Sequence, residues 1–276
     1  MDLLPEHLFT SIIYGRQVLS RLKSIASTPY SATILRHQGL IYGALPHIVR
    51  AMCGRFTLTL LLAELEKRFL IDEVMASIQP RYNIAPTQNV AVIINKENPG
   101  RVLTEMRWGL IPSWADDPKI GFRMINARAE TVAEKPSFKR ALTSRRCLIP
   151  ADSFYEWKKN GKTKTPMRIM LKEEKPFAFA GLWEKWTDPK IKMEIRSCTI
   201  ITCEANSFMK PIHDRMPIIL SEKAEALWLD SELKDPTKLK EVLVPYPAKE
   251  MKDYPVSTMV NSAKYDGPEC VKPFSK

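Results

Sequence analysis

No stretch of about 18 consecutive apolar residues occurs in this 276-residue sequence, so no transmembrane helix is expected. The five cysteines are odd in number and include no Cys-x-x-Cys pair and no zinc spacing, which argues against a disulfide framework and for a reducing compartment. Histidine is scarcer still: of four residues, His7, His37 and His47 fall before position 52, and His213 alone follows. No histidine pair remains to hold a metal, and neither metal nor other cofactor is expected. No internal repeat or low-complexity linker follows residue 51, and no phosphate-binding glycine loop is visible. Acidic charge is in deficit. Lys and Arg number 42 against 31 Asp and Glu, a net charge of +11, which favours a polyanionic partner such as nucleic acid. With 45% hydrophobic and 26% charged residues, the rest of the composition is that of an ordinary folded protein.

The chain divides at residue 52. Residues 1–51 carry five basic and two acidic residues, leaving +8 of the charge to the remainder. Their short apolar stretches are broken by Gly43 and Pro46 and lack the continuous core and cleavage site of a secretory signal. Early Asp2 and Glu6 also weaken a transit-peptide reading. This leader is expected to lie outside the functional protein, either as a weakly structured extension or because translation starts at Met52. Residues 52–276 are expected to form one domain. Within it, Thr57–Phe69 repeats leucine at helical spacing and predicts an amphipathic helix. Strands are predicted over Asn89–Asn95, Val102–Leu110, Phe177–Trp183 and Arg196–Thr202. Cys147–Trp157 reads as strand, turn, strand, and Asn160-Gly161 signals a two-residue hairpin loop. Ser221 caps a predicted helix running to Asp230. Strands outnumber helices and follow one another, which predicts an α+β fold around a largely antiparallel, barrel-like sheet with flanking helices.

Six stretches combine reactive polar groups with turn residues: Met52–Phe56 (MCGRF), Pro80–Gln88 (PRYNIAPTQ), Trp108–Trp114 (WGLIPSW), Ile125–Thr131 (INARAET), Pro150–Trp157 (PADSFYEW) and Ile212–Pro217 (IHDRMP). Together, in this order, they resemble the SRAP family, the abasic-site processing proteins also called SOS response-associated peptidases. The resemblance runs from Met52 nearly to the C-terminus. It implies an SRAP-like single domain and a chain that starts Met-Cys, with the Met removed.

The implied chemistry explains why Cys53 would need to be N-terminal. A free α-amine has a pKa of about 7.7–8.0, so a useful fraction is neutral near pH 7 and can attack the aldehyde of a ring-opened abasic sugar. The thiol on the same residue can then close a five-membered thiazolidine. An internal Cys53, whose nitrogen is an amide, cannot do this. The resemblance makes Glu156 the catalytic carboxyl, and its aromatic neighbours Phe154, Tyr155 and Trp157 suggest a pocket that raises its pKa. It assigns proton transfer in ring opening and crosslink reversal to His213, the one side chain titrating near neutrality unperturbed. Asn126 would orient the amine or the sugar. Asp214 could orient His213 or balance Arg215, and Asp152 reads as a turn residue.

For the nucleic acid, Arg55 and Arg128 stand two residues from Cys53 and Asn126, a spacing that puts them on a shared strand face and suits phosphate binding. Arg81, Arg215 and Asn83 are further candidates, and Trp114 could stack on a base. The expected partner is single-stranded DNA containing abasic sites, with no membrane, and the expected protein is a cytoplasmic monomer, nucleoid-associated when bound. The expected function is a lyase-like or hydrolase-like shield that forms a covalent adduct through Cys53 in the DNA damage response. A cysteine peptidase using Cys53, including one confined to processing its own N-terminus, and a DNA-binding module without chemistry are the alternatives.

Overall fold

The β-branched run Asn89–Asn95 forms a strand with the bounds its composition predicts, and its buried middle lies in a closed barrel. The computed structural model describes residues 53–98 and 100–274, so the leader and Met52 lie outside the described residues. In chain order the elements are β1 (Phe56–Leu58), α1 (Leu62–Phe69), β2 (Glu73–Val74), β3 (Arg81–Ile84), β4 (Asn89–Asn95), β5 (Arg101–Trp108) and β6 (Asn126–Arg128). There follow α2 (Pro136–Ser144), β7 (Arg146–Ala151), β8 (Ser153–Asn160), β9 (Thr163–Leu171), β10 (Phe177–Thr187), β11 (Glu194–Glu204), β12 (Arg215–Pro217) and β13 (Ile219–Leu220). The chain ends with α3 (Glu222–Leu229), α4 (Pro236–Glu241) and β14 (Met251–Pro255). Among the described residues no helix is long and apolar enough to cross a membrane.

Strands β5, β4, β7, β10 and β11 are neighbours in that order and pair antiparallel, and a short parallel contact of β11 with β5 (Ser197 opposite Arg107, Cys198 opposite Trp108) closes the ring. A second, antiparallel sheet runs β14-β9-β8-β1-β3. This is the expected α+β class with a largely antiparallel, barrel-like sheet. Aromatic rings join the two sheets. Phe56 of β1 meets Trp108 of β5 edge-on at 5.2 Å and Phe179 of β10 at 5.7 Å, and Phe154 of β8 meets Phe179 at 6.1 Å. Each ring is fully buried, and each such burial contributes about 1.5–3 kcal/mol, so the strands carrying the site rest on a rigid floor.

Two local expectations are corrected. Helix starts only at Leu62, not Thr57, because Phe56–Leu58 are drawn into strand β1 between β3 and β8. Leu61 is already extended (φ −76°, ψ 158°), and the Glu64 carboxylate accepts its N–H at 2.7 Å, which fixes the helix start there. The hairpin loop is Gly161-Lys162, one residue later than expected, since Asn160 pairs with Thr163. Gly161 takes the left-handed φ of 60° that the tight turn needs. Ser221 caps α3 as expected, its hydroxyl accepting the Ala224 N–H.

Candidate active site

Cys53 lies three residues before β1, and the antiparallel register of β1 with β8 (Phe56 opposite Phe154) carries that end of the chain toward Glu156. The Tyr155 N–H donates to the Arg55 carbonyl at 2.9 Å, extending the pairing past the end of β1. The Cys53 backbone N–H then donates to Glu156 Oε1 at 2.7 Å. Both residues are buried. Burial lifts the Glu156 carboxyl from its ordinary range to about 7. The N–H groups of Cys53 and Trp157 pull it down, the charge of Asp214 pushes it up, and that of Lys164 pulls it down. Burial first, and then the Glu156 charge, push the Cys53 thiol well above its ordinary range. The arrangement is therefore a nitrogen held on a carboxyl that can exchange protons near neutrality, with a protonated thiol on the same residue.

Two short strands bring the remaining candidates to one end of β11. Thr202 of β11 has Arg128 of β6 opposite it on one edge and Pro217 of β12 on the other. Asn126, at the start of β6, lies half-buried opposite Ile200. His213 and Asp214 immediately precede β12, and the ring Nδ1 of His213 lies 2.9 Å from Asp214 Oδ1. The Asp214 charge felt at Glu156 links this segment to the Cys53–Glu156 pair.

The proposed DNA contacts divide into exposed and internally engaged groups. Arg128 is exposed, and Trp114 retains 59% of its surface. The segment bearing Trp114 is set by two glycines packed backbone to backbone: a Cβ on Gly109 (φ 126°) would meet the Gly121 carbonyl at 2.6 Å. Trp108, by contrast, is core, its indole N–H bonded to the Ile125 carbonyl. Arg55 is half-buried and donates to the Asn83 side chain at 2.8 Å and to the carbonyls of Val260 and Asn261. Asn83 is fully buried and donates to the carbonyls of Ser262 and Tyr265, so it braces the site from within and presents no face to a ligand. Arg81 pairs with Asp266 and Gln88. Arg215 is buried, clasps Glu130 through two bonds of 2.6 and 2.9 Å, and donates to the Thr202 carbonyl at 2.8 Å.

Three acidic residues that organise the site carried little signal in the sequence. Asp266 accepts the N–H groups of Tyr82 and Asn83 as well as Arg81, pinning the RYN segment from far along the chain. Glu130 sits within INARAET, and the Arg215 clasp holds its carboxyl below the usual range. Asp152, read as a turn residue, occupies the single position between β7 and β8 and accepts from Thr57 and Thr59. Among the described residues no group of three or more His, Cys, Asp or Glu side chains is arranged to hold a metal ion.

The family profile described as SOS response associated peptidase (SRAP) matches residues 52–263. The abasic site processing protein YoqW of Bacillus subtilis is 51% identical over 224 residues, covering 80% of this chain and 99% of that protein. The abasic site processing protein HMCES of Xenopus tropicalis is 36% identical over 223 residues, covering 70% of this chain and 66% of that protein. A protein from Bacteroides thetaiotaomicron with a known crystal structure matches with a TM-score of 0.74 at 25% identity, covering 81% of this chain and 100% of that one.

Proposed function

The chain belongs to the SRAP family, and from that premise we propose that it processes abasic sites by forming a covalent thiazolidine between Cys53 and the ring-opened sugar in single-stranded DNA. The observation that carries the reading is the 2.7 Å bond from the Cys53 nitrogen to the buried Glu156 carboxyl. It supports a nucleophilic nitrogen more directly than a nucleophilic thiolate. The reading requires Cys53 to be the mature N-terminus, exposed by removal of Met52 and of whatever precedes it. The family match beginning at residue 52 supports this. So does the backbone at Cys53, whose φ of 44° is unfavourable for a residue with a Cβ. That constraint disappears when no peptide bond precedes the nitrogen.

The chemistry follows from the groups in place. The neutral α-amine adds to the aldehyde carbon, and the nitrogen's proton passes to the new hydroxyl. Loss of that hydroxyl as water, with a proton delivered by a neighbouring acid and the remaining N–H proton returned to it, leaves the imine. A carboxyl that burial raises toward neutrality suits both the removal and the return of these protons. The Cys53 thiol then adds to the imine carbon, its proton going to nitrogen, and the ring closes with net loss of one water. His213 would serve opening of the sugar ring and reversal of the adduct, and Asn126 would orient the amine or the sugar. Arg128 and Trp114 would contact the DNA, while Arg55, Arg81 and Arg215 would share any phosphate with the internal partners they already hold. The adduct would shield the lesion from strand cleavage during the response to DNA damage.

A cysteine peptidase would draw its nucleophile from a thiolate, and the burial that pushes the Cys53 thiol upward opposes one. Incubation of the protein beginning at Cys53 with abasic single-stranded DNA, followed by a denaturing gel, separates the two readings. A shifted band that is lost when the α-amine is blocked supports the thiazolidine. A normal band from amine-blocked protein refutes it.

A further inference from the structure

The sequence His213-Asp214-Arg215 leaves two roles open for Asp214, and the geometry closes one of them. Arg215 turns away from its neighbour: its guanidinium clasps Glu130 and the Thr202 carbonyl. Asp214 instead places Oδ1 at 2.9 Å from Nδ1 of His213. The backbone N–H of Arg215 points at the same ring nitrogen from 3.1 Å. Nδ1 therefore has an acceptor and a donor in place. When it carries a proton it donates to Asp214, and when it is bare it accepts from the Arg215 N–H. Neither state leaves the nitrogen without a partner, so the ring can change protonation without moving.

We infer that Asp214 is a positioning residue: by holding the proton on Nδ1 of His213, it makes Nε2 the nitrogen through which a proton is exchanged with the bound sugar. This rests on the adduct chemistry proposed above. Other charged groups bear on the same region. Glu156 on β8 feels Asp214, and Lys164 on β9 acts on Glu156 with the opposite sign. Glu204 on β11 stands opposite Arg215, and the Arg215–Glu130 clasp balances itself. Asp214 places its carboxylate within bonding distance of the ring, and its side chain is 83% exposed against 20% for His213. Substituting it should therefore leave the fold intact.

The test uses nitrogen-15 NMR of the histidine rings in the DNA-free protein, with His213 assigned by its loss in His213→Gln. In the parent protein the neutral His213 ring is expected to carry its proton on Nδ1. In Asp214→Asn and Asp214→Ala the neutral ring should shift toward the Nε2–H form and the titration midpoint should move to lower pH, while Asp214→Glu restores both in part. An unchanged tautomer and midpoint in Asp214→Asn overturns the inference. A second measurement follows reversal of the adduct on abasic single-stranded DNA. Asp214→Asn should slow it at neutral pH by about 3- to 10-fold with DNA binding unchanged, a fraction of the range open to acid–base catalysis. Unaltered reversal and an unaltered pH profile also overturn it. If the parent protein forms no adduct at all, the proposed function fails while the NMR result still decides the role of Asp214.

Discussion

Replacing Glu156 with glutamine in the full-length chain, where the Cys53 nitrogen is an amide, should make the protein more stable as the pH rises. Glu156 is 3% exposed, so little solvent screening applies. Its carboxyl is displaced from 4.5 to about 7, chiefly by burial. In the unfolded chain the same carboxyl ionises from about pH 4.5 upward, so between these values the unfolded state loses its proton first. Stability contributed by the neutral buried group is thus fully present below pH 4.5, falls between pH 4.5 and 7, and is lost above. At about 1.4 kcal/mol per pH unit, the displacement corresponds to about 3 kcal/mol. The glutamine side chain of the variant has no such titration, and its carbonyl oxygen can still accept the Cys53 N–H. The difference in unfolding free energy, variant minus parent, should therefore rise by about 3 kcal/mol from pH 4.5 to pH 8, measured by urea denaturation at each pH. A flat difference, or one that falls with pH, would mean that the carboxyl is ionised in the fold, and the proton-exchange role would lose its basis.

Asn83→Ala should cost about 2–4 kcal/mol of stability in the same assay, because it strips partners from Arg55 and from the carbonyls of Ser262 and Tyr265 inside the protein. A change within about 0.5 kcal/mol would contradict its bracing role. Arg128→Ala should weaken single-stranded DNA binding and reduce the slope of log affinity against log salt by about 0.7, as expected for one lost phosphate contact. An unchanged slope would remove Arg128 from the interface. Trp114→Ala should lose about 1–3 kcal/mol of binding if the ring stacks on a base, and equal binding by fluorescence anisotropy would rule that out. Cys53→Ser should still bind abasic DNA yet yield no stable band on a denaturing gel, since a hydroxyl closes a less stable ring.

Legibility in the sequence depended on whether a feature was set locally. Asn89–Asn95 was readable because a short apolar run rich in β-branched residues has few alternatives to a buried strand. Phe56–Leu58 was not, because its leucine spacing fits a helix and pairing with β3 and with β8, about a hundred residues away, makes it a strand. The same distinction governs the site. Cys53 and Glu156 both stood out as candidate reactive groups, but the bond between them depends on the β1–β8 register. Arg55, two residues from Cys53, and Asn83 read as candidate DNA contacts, and no internal partner for either was visible nearby in the sequence. Their partners lie at 260–265, brought close by the segment that Asp266 pins to β3. For Asp214 the sequence offered His213 and Arg215 as equal neighbours, and Glu130 decided between them by taking Arg215.

The most direct test of the account is the intact mass of the product formed when protein beginning at Cys53 meets single-stranded DNA carrying one abasic site. The account predicts a single adduct with the summed mass of protein and DNA less one water, and no adduct from the same chain with its Cys53 amine acetylated. An adduct of that mass from the acetylated chain, or none from the free amine, would contradict it.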